Sequence, residues 1–135
     1  MTRDTIIVCG SRDWNDVETI DEWLTLMCKP GRINRLVHGG CEGADRIAAA
    51  WAAKAGLLGI EYPADWNAFG PSAGPRRNAE MVKSEAERTW RGVAFSYLSL
   101  KAITGIGLTT GTEDCTARMI GRHIPVLIVT PGARP

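Results

Sequence analysis

Twice near its start this chain runs an apolar, β-branched segment into glycine and then directly into helical periodicity, and that alternation limits the possible folds more than any single residue. Thr5-Ile6-Ile7-Val8-Cys9 stops at Gly10-Ser11-Arg12, and the run from Ile33 to Val37 stops at His38-Gly39-Gly40-Cys41-Glu42-Gly43-Ala44-Asp45. A third glycine turn, Thr109-Thr110-Gly111-Thr112-Glu113-Asp114, opens another helical stretch. An apolar run without polar alternation is the pattern of a strand covered on both faces. A strand that ends in glycines and feeds a helix presents free backbone N–H groups and the positive end of the helix dipole, which suits an anion. Three such turns on one sheet edge imply a pocket for a phosphate-bearing ligand.

The remaining segments continue the alternation. Asn15 with Glu18 three residues on reads as a capping box, and Val17, Ile20, Trp23, Leu24 and Met27 recur at helical spacing, so a first helix is predicted over 16–28. The alanine-rich stretch 44–55, closed by Gly56, predicts a second helix, with Trp23 and Trp51 assigned to the core. Residues 57–62 read as a third strand and 63–75 as a long irregular loop carrying Trp66 and Phe69, whose aromatic content favours a functional role. Pro75 at a first helical position opens a helix to about residue 87. A fourth strand over 91–98, a glycine-containing loop over 99–110, a helix capped by Thr112 and a last strand over 124–129 complete the chain. Strand and helix alternating in this way predict an α/β fold, a Rossmann-like three-layer sandwich with a parallel sheet of about five strands and helices on both faces. Residues 1–130 form a single domain in this reading, with 131–135 a flexible tail. The ligand of such a sheet sits beyond the carboxyl ends of the strands, where the strand order reverses.

Composition excludes more than it selects. At 135 residues the chain suits one domain with its own core. A formal charge of +1 gives no general attraction to nucleic acid or membranes, although Arg76-Arg77 is a local basic cluster. Cys9, Cys28, Cys41 and Cys115 are scattered without metal-ligand spacing, so no metal and no cofactor is expected. Their lack of pairing pattern, and an N-terminus without a signal peptide's apolar segment, predict reduced thiols and a cytoplasmic location. Cys9 reads as a core residue, while Cys41 and Cys115 fall in or beside glycine turns, within reach of a ligand.

The candidate ligand-binding residues follow from the turns. Gly10, Ser11 and Arg12 can place a hydroxyl, amides and a guanidinium on a phosphate, since arginine's planar fork matches an oxyanion. Gly39, Gly40 and Gly43 allow close backbone approach, Glu42 can reach into the pocket, and Asp45 either caps the following helix or meets a ribose hydroxyl. His38 reads as a hydrogen-bonded structural residue ahead of a general acid or base. Of Arg76 and Arg77, about 100° apart on a helix, one faces the pocket beside Asn78 and the other is solvated. Trp66 or Phe69 can stack on a base or pin the loop. Thr110, Gly111 and Thr112 complete the set at the third turn. Neither a GxGxxG fingerprint nor a GxxxxGK[ST] loop is present, which removes the usual dehydrogenase and NTPase readings.

Five ordered motifs carry a family resemblance: Gly-Ser-Arg-Asp-Trp at 10–14, Gly-Gly-Cys-Glu-Gly-Ala-Asp at 39–45, Ala-Asp-Trp at 64–66, Ala-Gly-Pro-Arg-Arg-Asn-Ala-Glu-Met at 73–81 and Gly-Thr-Glu-Asp at 111–114. Over residues 5–129 the chain resembles the YspA/YpsA-like branch of the SLOG superfamily, which includes LOG phosphoribohydrolases and the core of DprA. The resemblance implies a homo-oligomer, dimer or higher, that binds a nucleotide or nucleotide-derived ligand, such as an ADP-ribose-like or cyclic signalling nucleotide, to sense or sequester it. Proteins similar to this one occur in bacteria and phages. LOG enzymes cleave an N-glycosidic bond with an arginine in Arg-Lys-Ala-x-Met and a glutamate closing Pro-Gly-Gly-x-Gly-Thr-x-x-Glu. Arg77-Asn78-Ala79-Glu80-Met81 matches the first motif at its arginine, alanine and methionine, whereas Cys115 stands at the glutamate position and Thr109 at a glycine position. A thiol is a poor substitute for a carboxylate that stabilises an oxocarbenium ion or activates water. Binding is therefore expected ahead of an N-glycosidase that would use Arg77 to orient phosphate and Glu113, Asp114 or Glu42 to act on the bond, and DprA-like single-strand binding is disfavoured by the balanced charge.

Overall fold

The computed structural model describes residues 2–29, 31–97 and 111–135. Its centre is β1 (Thr5–Gly10), whose Ile6, Ile7 and Val8 have no exposed surface. Alternate side chains of a strand point to opposite faces, so this run needs cover on both. Ile6 and Val8 join Ile20 and Leu24 of α1 (Val17–Met27) and Ala48 of α2 (Ala44–Ala55) in one core. Ile7 and Cys9 join a second core, with Met81 and Val82 of α4 (Ala73–Glu85) and Met119 of α5 (Gly111–Gly121).

Among the described residues the sheet has five strands, all parallel, in the order β3-β2-β1-β4-β5. β2 (Arg35–His38) and β3 (Leu58–Glu61) lie to one side of β1. β4 (Thr89–Phe95) and β5 (Val126–Val129) lie to the other. The expected α/β Rossmann-like three-layer sandwich is the observed fold. The chain leaves β1 toward β3, returns to β4 and continues outward, so the order reverses between β1 and β4, where such folds place ligands.

Local departures have local causes. The cap of α1 is Asp16, not Asn15: its carboxylate accepts from the Thr19 amide at 3.1 Å and from the Thr19 hydroxyl at 2.6 Å. Glu18 is therefore not the partner of a capping box. Residues 63–75, expected as an irregular loop, contain α3 (Trp66–Phe69), capped by Asp65 through the Ala68 amide, then a 3-10 turn at Gly70–Ser72. α4 starts at Ala73, two residues before Pro75, because first-turn amides have no helical partner and tolerate proline. It gives way at Glu85 to a 3-10 turn, Ala86–Arg88. Thr112 lies inside α5 and is not its cap. The loop expected over 99–110, which includes Thr109 and Thr110, lies outside the described residues.

The C-terminal residues contact α1. The Gly132 amide donates to Asp16 at 2.8 Å, the Trp23 indole donates to the Ala133 carbonyl at 2.9 Å, and Arg134 pairs with Glu22 at 2.7 Å.

Candidate functional site

A cleft of about 700 Å³ opens at the carboxyl ends of β1 and β4. It is lined by Gly10 at the end of β1 and by Ser11 and Arg12 after it, with Gly39 and Cys41 from the turn that enters α2 and Asp45 from the first turn of α2. Trp66 of α3, Arg77 and Asn78 of α4, and Gly111 and Thr112 of α5 complete the expected residues that it brings together. Gly40 and Glu42 instead line an adjoining chamber of about 270 Å³. Gly43 lines neither. Thr110 lies outside the described residues. Glu113 is not among the described residues of the cleft wall, whereas Asp114, the next position around the helix, is.

The glycines serve close packing more than free amides. The Ser11 amide donates to the Phe95 carbonyl, the Gly39 and Cys41 amides to Asp45, the Gly40 amide to His38 Nδ1, and the Ala44 amide to the Ser11 carbonyl. The expectation that the first two turns offer these groups to an anion is therefore corrected at five positions. A Cβ at Gly10 would overlap Ala44 and the Phe95 carbonyl, and one at Gly39 would overlap the Arg77 guanidinium. Gly43, at φ +75°, sits against the carbonyls of Ser11 and Arg12.

Asp45 is the organiser of the second turn. Its Oδ2 accepts from the amides of Gly39 at 3.0 Å and Cys41 at 3.3 Å, so it ties the loop rather than capping α2, whose N-cap is Gly43. Burial pushes its carboxyl up from 3.8 to about 6, against the pull of the Cys41 amide and of Arg77. Its Oδ1 is buried without a hydrogen-bond partner among the described residues. His38 is buried and spends Nδ1 on the Gly40 amide at 3.0 Å. Burial lowers its pKa, and it does not line the cleft. The structural role expected for it is the observed one.

The two adjacent arginines separate as helical geometry requires. Arg77 turns inward and donates to the Gly39 and Tyr62 carbonyls, to Cys41 Sγ at 3.6 Å and to Asn78 Oδ1 at 2.8 Å. Arg76 lies over Phe69, 4.5 Å from the ring centroid, and bonds Ser72. Phe69 is thereby taken up outside the cleft. Trp66 faces it, 46% exposed, with the Arg12 guanidinium 5.4 Å from its ring centroid. Asn78 joins two helices by donating to the Gly111 carbonyl at 3.0 Å and to Asp114 at 3.1 Å. Asp114 also pairs with Arg118 at 2.9 Å.

Cys115 is 1% exposed in the apolar cluster with Cys9 and Met119, so the proximity to a ligand expected of it is not observed. Hydrogen bonding with Cys115 and burial push the Cys9 thiol well up. Tyr97 is a cleft residue that the sequence reading missed, packed on Trp14 at 5.5 Å between ring centroids. Its signal was its place just past a strand end on the ligand edge. Among the described residues no group of His, Cys, Asp and Glu is arranged to hold a metal, and no helix is long and apolar enough to cross a membrane.

The model of the YspA, cpYpsA-related SLOG family matches residues 5–69, which run from β1 to the end of α3. The gene 61 protein of Mycobacterium phage D29 is 32% identical over 130 residues, covering 90% of this chain and 93% of that protein. No solved structure matches significantly. With its glycine turns, its parallel five-stranded sheet and a cleft at the point of reversal, the chain belongs to the YspA, cpYpsA-related SLOG family.

Proposed function

We propose that the cleft binds a nucleotide-derived small molecule and returns it unchanged, in a sensing or sequestering role. The observation that carries this reading is the convergence of Arg12, from the turn after β1, and Arg77, from α4, beside the half-exposed Trp66, over whose ring Arg12 lies. Guanidiniums take phosphate oxygens, and an indole face stacks on a base. The acids near them suit sugar hydroxyls, because carboxylates accept hydrogen bonds. Family membership supports a ligand of this class. Cleavage is disfavoured because Cys115, at the position of the enzymes' glutamate, is buried in the core, Glu113 is not among the described residues of the cleft wall, and Asp114, which does line it, is engaged by Asn78 and Arg118.

Calorimetry with AMP, ADP and ADP-ribose, followed by chromatography of the recovered ligand, tests the reading. Binding of at least one, recovered intact, is the expected result. Release of free base, abolished by Arg77→Ala, would replace this reading with N-glycosidase chemistry. Failure of every nucleotide to bind would end it.

A further inference from the structure

Residues 63–72 connect the end of β3 to α4 through α3 and the 3-10 turn, and none of them is buried. Trp66 and Phe69 are each about half exposed. Trp66 and Pro71 line the cleft, and Pro63, Ala64 and Trp66 line the adjoining chamber, so this one segment walls both spaces.

Its attachments are local. The Ala68 amide donates to the Asp65 carboxylate, the Phe69 amide to the Asp65 carbonyl, the Gly70 amide to the Trp66 carbonyl and the Ser72 hydroxyl to the Phe69 carbonyl. Among the described residues, the hydrogen bonds that leave the segment go to the adjoining α4, where Arg76 donates to Ser72 at 3.1 Å and the Ala73 amide donates to the Gly70 carbonyl. None reaches the sheet, α2 or α5. Trp66 rests on Gly74, at which a Cβ would stand 3.3 Å from the indole Cη2. A segment with no buried side chain and only local bonds opens at a much smaller free-energy cost than the core beneath it. Gly70 supplies a pivot, since its φ of 55° with ψ of −137° is a backbone shape open to glycine.

One contact ties the segment to the opposite wall, the Arg12 guanidinium 5.4 Å from the Trp66 ring centroid. These are the two groups that the nucleotide reading gives to phosphate and base, and here they face each other. A cation over an exposed ring is a weak contact. A ligand that bonds the guanidinium and stacks on the indole replaces it with stronger ones.

We infer that residues 63–72 are a lid that closes over the bound ligand, with Trp66 exchanging the Arg12 guanidinium for the ligand's ring. This rests on the nucleotide reading of the cleft and adds a moving part to it. Contacts made only after the ligand has entered slow its release more than its entry.

Hydrogen exchange by mass spectrometry on the full chain, with and without AMP, ADP or ADP-ribose at about 100 times its Kd, follows the lid. Without nucleotide, the amides of 64–72 exchange at least ~100-fold faster than those of 79–85 in α4, and bound nucleotide slows them about tenfold or more. Gly70→Ala meets no atom within 4 Å but opposes the pivot's backbone shape, and Asp65→Ala removes the cap of α3. Strain in a segment that opens by itself does not reach the global transition. Each variant therefore speeds both exchange of 64–72 and nucleotide release severalfold, with the melting transition within about 2 °C of wild type. Three results overturn the lid and leave nucleotide binding intact: protection of 64–72 equal to that of α4 without nucleotide, exchange unchanged by a nucleotide that binds, or a melting loss in both variants as large as that of a core substitution. No binding by any of the three nucleotides overturns both.

Discussion

At the scale of single residues, Asp45 links the loop's geometry to pH. Its folded pKa of about 6 lies above its ordinary 3.8, so the folded state holds its proton where the unfolded state has released it. Stability therefore falls as pH rises from about 4 to about 6 and is constant in this respect above that. Asp4 and Asp16, held low by hydrogen bonds from Arg88 and from Thr19, act in the opposite sense at more acid pH, so the comparison must be with a variant. Urea denaturation of wild type and Asp45→Asn from pH 4 to 7 should show the variant gaining roughly 2 kcal/mol relative to wild type across that interval. A difference independent of pH would reject the assignment. The glycines give a second contrast. Gly43→Ala meets both a positive φ and two backbone carbonyls and should cost several kcal/mol, about 3 or more. Gly56→Ala, at φ +79° with nothing within 4 Å, should cost only about 1–2 kcal/mol of backbone strain. Equal losses at the two positions would show that contact with Ser11 and Arg12 does not constrain the turn.

At the scale of elements, α4 is held at both ends. Its last residue, Glu85, accepts from Arg35 on β2 at 2.6 Å and from the Tyr62 hydroxyl at 2.6 Å, in a nearly buried pair. Its first turns carry Arg77 and Asn78 into the cleft. Arg35→Met leaves Glu85 without its charge partner and should cost about 3–5 kcal/mol in denaturant unfolding. Adding Glu85→Leu should recover most of that loss, because an apolar pair avoids the desolvation of two charges. A double variant no more stable than the single one would contradict this. None of the partners was legible from spacing, since Arg35, Tyr62 and Glu85 meet only through the β2–β3 pairing and the return of α4 across the sheet. The helix α2 was legible to the residue because alanine, helical spacing and a left-handed Gly56 all agree on its limits. The helix α3 was not, as four residues are too few to display a period.

At the scale of the whole molecule, the strand order was readable only in kind. Uninterrupted apolar runs gave parallel strands and the ligand edge, and that edge brought Ser11, Arg12, Asp45, Trp66 and Arg77 together across 67 positions of sequence. What the glycines do there was read less well, because a turn rich in amides looks the same in sequence whether those amides face a ligand or are spent on Asp45, His38 and Phe95. The cleft borders both halves of the sheet, so a ligand in it ties β1 and α2 to α4 and α5 and stabilises the domain as a unit. A nucleotide present at about 100 times its Kd adds roughly 2.7 kcal/mol to the folded state, which for a domain of this size raises Tm by roughly 10 °C. Thermal unfolding with and without ligand should give that shift in wild type and lose most of it in Arg77→Ala. A shift of equal size in the variant would move the ligand away from Arg77, and with it the cleft from the centre of the protein's function.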